Sequence, residues 1–89
     1  MISCIIVEDE LPAREELKYF IDEEKEIKLI AEFDNPLDTL TFLEKNSVDA
    51  IFLDINMPDM NGISLGKIIT KMYPDTKIIF ITCLLYTSP

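Results

Sequence analysis

Ala50-Ile51-Phe52-Leu53-Asp54-Ile55-Asn56-Met57-Pro58-Asp59-Met60-Asn61-Gly62 is the stretch that decides how this chain folds. It opens on an unbroken apolar run, the pattern of a strand buried on both faces of a sheet. A carboxylate, Asp54, closes the run, and a loop with proline and glycine follows. Met57-Pro58 is expected to stiffen that loop, and Gly62 to take a positive φ in a tight turn after Asn61.

Outward from this stretch, residues 4–7 and 78–81 are continuous apolar runs rich in Ile, Val and Phe. They also read as strands covered on both faces. Residues 27–33 alternate in part, as an edge strand does. Helical patterns separate the strands. Pro12 suits a first helical turn, and Ala13, Leu17, Phe20 and Ile21 follow at helical spacing. Asn35-Pro36 reads as an N-cap with proline at the first helical position, and Leu37, Leu40 and Leu43 form the next apolar stripe. Leu65, Ile68, Ile69 and Met72 form a third stripe, a core face that Pro74-Asp75 ends. Gly66 within it points to close packing of helix on sheet. Strands alternating with helices imply one α/β domain, a parallel sheet with helices on both faces and right-handed crossovers.

Composition narrows the function. The chain has 89 residues, 48% of them hydrophobic, enough for a core and too apolar for disorder. Seventeen acidic residues against eight basic ones give a net charge of −9, which excludes phosphate-backbone binding as the main role of this chain. A cation or a basic partner suits it better. There is no His, and Cys4 and Cys83 lie in apolar runs, so a zinc site is not expected and both thiols read as buried and reduced. The first residues are apolar over too short a stretch for a signal peptide, and no segment spans a membrane. A reducing cytoplasm fits these features.

Carboxylates fall at the ends of two strands. Glu8 and Asp9 follow the first, and Asp54 follows the third. In open α/β sheets, ligands bind beyond the carboxyl ends of the strands, where the strand order reverses. With an order 2-1-3-4 that point lies between strands one and three, and all three carboxylates meet there. Crowded negative charges call for a cation, and Mg²⁺ prefers a few carboxylates, water and phosphate oxygens. The set suits phosphoryl transfer, with Asp54, alone at its strand end, as the nucleophile. Spacing alone leaves a solvated acidic loop at Glu8-Asp9-Glu10 equally open.

The local sequence resembles the receiver domains of two-component response regulators. Ile5-Ile6-Val7-Glu8-Asp9-Glu10 is similar to the family's first strand and acidic pair, residues 52–62 to its phosphoacceptor loop, and Ile78-Ile79-Phe80-Ile81-Thr82 to its fourth strand and hydroxyl residue. Leu11-Pro12-Ala13-Arg14-Glu15-Glu16-Leu17 further resembles regulators with a LytTR-type DNA-binding output. The resemblance implies a flavodoxin-like (CheY-like) three-layer fold over residues 1–83. It implies phosphorylation of Asp54 by a sensor histidine kinase, with Mg²⁺ held by Asp9, Asp54, the backbone carbonyl of Asn56 and, directly or through water, Glu8. Thr82 would hydrogen-bond the phosphoryl oxygen, although a hydroxyl at a strand end also reads as a plain β-former. Glu8 stands where the family more often has Asp. Implied partners are the protein's own C-terminal output domain and, on phosphorylation of the full-length protein, a second copy.

A complete receiver has five βα units, and this sequence stops after the fourth strand. Residues 84–89 do not resemble the family and are expected to be a foreign tail. The lysine that the family carries after its fifth strand has no counterpart, since Lys77 begins the fourth strand at the far end of the sheet. Weak phosphorylation by small donors, an apolar edge at residues 78–81 and a tendency to aggregate are the expected consequences. Two other readings fit parts of the sequence. A haloacid-dehalogenase-like phosphatase also uses a strand-end Asp, but it resembles Asp-x-Asp there, and Asn56 cannot act as the general acid. An interaction module without phosphorylation leaves Asp9, Asp54 and Thr82 unexplained.

Overall fold

A computed structural model describes residues 1–57 and 61–82. The elements run β1 (Ile2–Val7), α1 (Leu11–Asp22), β2 (Ile27–Phe33), α2 (Pro36–Lys45), β3 (Ala50–Asp54), α3 (Gly62–Met72) and β4 (Lys77–Ile81). All pairings are parallel, as the alternation of elements predicted, and the strand order is β2-β1-β3-β4, the flavodoxin-like order that the family resemblance implied. Pro58, Cys83 and the tail at residues 84–89, each read above from sequence, lie outside the described residues.

Side chains alternate across the central strands, so each strand feeds two cores. Ile5 and Val7 of β1 join Ile51 and Leu53 of β3 beneath Leu43 of α2 and Leu65 and Ile69 of α3. Cys4, Ile6 and Ala50 face the other way, toward Ile21 and Leu17 of α1. Cys4 through Val7 have no exposed surface at all, which explains the unbroken apolar run of β1. Burial also pushes the Cys4 thiol above its usual pKa.

The helix stripes were read too widely. Phe20 is 59% exposed, Leu37 73% and Met72 55%, and Ile68 is also exposed. Helical periodicity marks a broad face, but only the residues directly above the strands are covered. Leu43, Leu65 and Ile69 hold those positions. Thr39 is fully buried, and its Oγ1 is satisfied by donating to the carbonyl of Asn35 at 2.8 Å. β4 does not have two covered faces either. It is an edge strand, with Ile79 39% and Phe80 44% exposed.

Gly62 departs from expectation too. Among the described residues none has a positive φ, and Gly62 is the first residue of α3, not the corner of a turn. Asn61 is the N-cap, its side chain accepting from the amide of Ile63 at 2.7 Å. Glycine is required for space. A Cβ at position 62 would meet the carbonyl of Asp54 and come within 2.7 Å of Ile55 Cα. Gly66 sits tight against the sheet as expected, where a Cβ would lie 2.6 Å from the Phe80 ring.

Candidate metal and phosphoryl site

The register of the central strands builds the site. Val7 of β1 pairs with Leu53 of β3, so Glu8 and Asp54 emerge side by side, one position further on. Ile55 donates its amide to the carbonyl of Ile81 at 3.0 Å, which keeps the end of β4 at the same rim. Lys77, paired with Ala50, sits at the opposite end. One carboxylate oxygen from each of Glu8, Asp9 and Asp54 lies within 4.8 Å of the others.

The cluster is deeply set. Glu8 is 1% exposed and Asp54 0%. Local backbone amides orient both: Glu10 donates to Glu8 Oε2 at 3.0 Å, and Asn56 donates to Asp54 Oδ1 at 3.1 Å. Asp9 differs, because its Oδ1 is buried and accepts no hydrogen bond. Ionised carboxylates this close repel by roughly 3 kcal/mol per pair at an effective dielectric of about 20. A buried acceptor without a donor costs about 1–3 kcal/mol more. Both costs fall away when a divalent cation enters. The donors are all oxygens, the set that a hard ion such as Mg²⁺ takes. The residues present therefore fit the ion that the sequence called for.

Asn56 forms a short bridge with Asn61 across the loop, its side chain is exposed, and its contribution so far is the amide that holds Asp54. Met57 is buried and anchors the start of the loop in the core. Thr82 is exposed and follows directly on β4, one residue beyond the Asp54–Ile81 pair.

Sequence reasoning missed Arg14, which it noted only within the run at residues 11–17. Its Nη1 donates to the carbonyl of Glu8 at 2.9 Å, and its Nε pairs with Glu32 Oε1 of β2 at 2.9 Å. Lys18 closes on the other Glu32 oxygen at 2.9 Å. Glu32 is held below the usual carboxylate pKa, chiefly by the hydrogen bond from Lys18, with Arg14 adding to it, and desolvation opposing. No sequence signal links positions 14 and 32, which meet only when α1 folds back over the β1–β2 pair.

The fold and site define a class: an open α/β domain with an acidic, cation-ready pocket where its strand order switches. Comparison with known proteins makes that specific. The chain belongs to the response regulator receiver domain family, whose sequence profile matches residues 4–85. It is 46% identical over 81 residues to the transcriptional regulatory protein YpdB of Escherichia coli K12, covering 91% of this chain and 33% of that protein. It is 42% identical over 82 residues to the sensory transduction protein LytT of Bacillus anthracis, covering 92% and 33%. The chain thus spans about a third of the length of the curated relatives it matches. The crystal structure of the response regulatory domain of MrkE from Klebsiella pneumoniae superposes with a TM-score of 0.83 at 43% identity, over 91% of this chain and 66% of that one. RcsB from Salmonella enterica serovar Typhimurium, solved on promoter rprA with a phosphomimetic, shares the fold at a TM-score of 0.84 and 23% identity, over 91% and 47%.

Proposed function

We propose that this chain is the phosphoaccepting part of a two-component response regulator, with Asp54 receiving a phosphoryl group from a sensor histidine kinase. One observation carries the reading: Glu8, Asp9 and Asp54 converge within 4.8 Å at the end of the central strands, with a buried Asp9 oxygen that no donor satisfies. Asp9 and Asp54 would hold Mg²⁺ directly, Glu8 directly or through water, and Asn56 through its backbone carbonyl. The ion supplies charge neutralisation at the phosphoryl oxygens.

The chain's own residues supply the rest. The Asn56 amide fixes the plane of the Asp54 carboxylate. An Asp54 oxygen forms the new bond to phosphorus as the phosphorus–nitrogen bond to the kinase histidine breaks. The electron pair leaves with the imidazole, which takes up a proton, and an acyl phosphate remains on Asp54. Burial of Asp54 limits the water that would hydrolyse it. Thr82, at the same rim, would donate its hydroxyl to a phosphoryl oxygen. Its displacement would report the modification to the rest of the protein.

An output domain of the LytTR type, and with it control of transcription, is the proposed destination of the signal. The LytT and YpdB relatives and the run at residues 11–17 support this. Among the described residues no helix is long and apolar enough to cross a membrane. The proposed setting is the cytoplasm, where a kinase would reach the site.

The test is labelling with radioactive acetyl phosphate followed by peptide mapping. It is run on the chain alone and on the chain joined to the fifth strand and last helices of a relative. Label should map to Asp54, require Mg²⁺ and vanish in Asp54→Asn. It should be slow in the chain alone, since no lysine among the described residues lies at the site. Equal labelling of Asp54→Asn, or turnover of a phosphate ester, would contradict the proposal.

A further inference from the structure

We infer that Arg14 is a positioning residue for the cation site, acting through the peptide that joins Glu8 to Asp9. The inference rests on the metal reading of that site given above. The carbonyl that Arg14 grips belongs to Glu8, and the contact is 2.9 Å. That carbonyl is part of the peptide plane immediately preceding Asp9, so its tilt sets the direction of the Asp9 Cα–Cβ bond. Glu8 and Asp54 have amide donors on their carboxylates. Asp9 Oδ1 has none, so this oxygen depends on the backbone for its aim.

The grip is itself braced. The Arg14 side chain is 17% exposed and its Nε is paired with Glu32, whose second oxygen is taken by Lys18. The Arg14 amide also donates to the carbonyl of Glu10 at 3.0 Å, so residue 14 holds the acidic turn from both its backbone and its side chain. A planar fork can bond the Glu8 carbonyl and Glu32 together, and an ammonium group on a flexible stem does so poorly. Supporting contacts of this kind are worth roughly 10–100-fold in metal affinity at other sites.

Charge and position predict opposite signs, which makes the inference testable. A cation next to acidic ligands weakens Mg²⁺ binding, so a purely electrostatic Arg14 would bind the ion more tightly as Arg14→Met and equally as Arg14→Lys. A positioning Arg14 loses affinity in both. Calorimetric titration with Mg²⁺ alone is the readout, with circular dichroism melts of each metal-free variant alongside. We expect the dissociation constant to rise about tenfold in Arg14→Lys and Arg14→Met, and by a smaller factor in Glu32→Gln. Glu32→Gln keeps the side-chain shape and carries the test if the Arg14 variants fail to fold. Unchanged affinity in Arg14→Lys or Glu32→Gln, or tighter binding in Arg14→Met, overturns the inference. Asp9→Asn separates it from the reading beneath it. If Asp9→Asn binds Mg²⁺ like the unsubstituted chain, the metal site itself is wrong. If Asp9→Asn loses the ion while Arg14→Lys keeps it, only the positioning role fails.

Discussion

Gly62 and Gly66 occupy one helix and answer to different constraints. At position 62 an added methyl would strike the backbone of Asp54 and Ile55, which cannot move without moving the carboxylate. At position 66 it would strike the tip of the Phe80 ring, a side chain already 44% exposed and able to turn away. Gly62→Ala should therefore cost about 1–3 kcal/mol of stability, as overpacking does. Gly66→Ala should be close to neutral, the helix-propensity gain of about 1 kcal/mol offsetting the shift of the ring. Urea titrations of both variants check this, and equal losses would contradict it. At this scale the sequence is informative where chemistry and register coincide. Glu8, Asp9 and Asp54 were legible because each follows an apolar run, and parallel strands in register bring run ends together. The Gly62 reading failed because Asn-Gly is a strong local turn signal. Steric exclusion by Asp54, which precedes it by a whole loop, leaves no local mark.

Among the elements, α2 shows a sequence signal that held. Asn35 caps it, accepting from the amide of Asp38 at 2.8 Å, with Pro36 at the first helical position as the sequence indicated. Asn35→Ala should lower stability by about 1 kcal/mol, measurable in a thermal melt. The tie between α1 and β2 carries a pH dependence. Glu32 has a folded-state pKa lowered from 4.5, so its contribution is complete above that value and lost as pH falls through the lower one. Its side chain is one-third exposed, so the contribution is that of a screened surface pair, under about 1 kcal/mol. The stability advantage of the parent chain over Glu32→Gln should persist at neutral pH and fade below 4.5. An advantage that grows on acidification would contradict the assignment. Helix and strand identities were recoverable from periodicity, because the core selects for it. The crossing of α1 over the strand ends, which turns Arg14 from a surface residue into a brace, depends on tertiary geometry that periodicity does not encode.

Across the whole molecule, apolar surface is unevenly covered. Among the described residues β4 is an open edge with Ile79 and Phe80 exposed, and Phe20 of α1 is exposed as well. An apolar edge strand invites pairing with another chain. The purified chain should associate as its concentration rises, and Ile79→Lys should reduce that association in light scattering. A monomeric chain with a sharp, concentration-independent melt would contradict this. The parallel sheet was predictable from the alternation of elements, whereas the strand order and its switch point followed from the family resemblance. The exposure of β4 follows from its position at the end of the strand order, which its run, reading like an inner strand, does not signal. The central claim remains the acidic pocket at the switch point, and it has a direct spectroscopic test. Mg²⁺ titration followed by amide chemical shifts should give saturable changes at Asp9, Asp54 and Asn56, none near Asp49 and Lys77 at the other end of the sheet, and no saturation in Asp54→Asn. Shifts scattered over the acidic face of α1, or identical saturation in Asp54→Asn, would show that the carboxylates at the strand ends do not form a cation site.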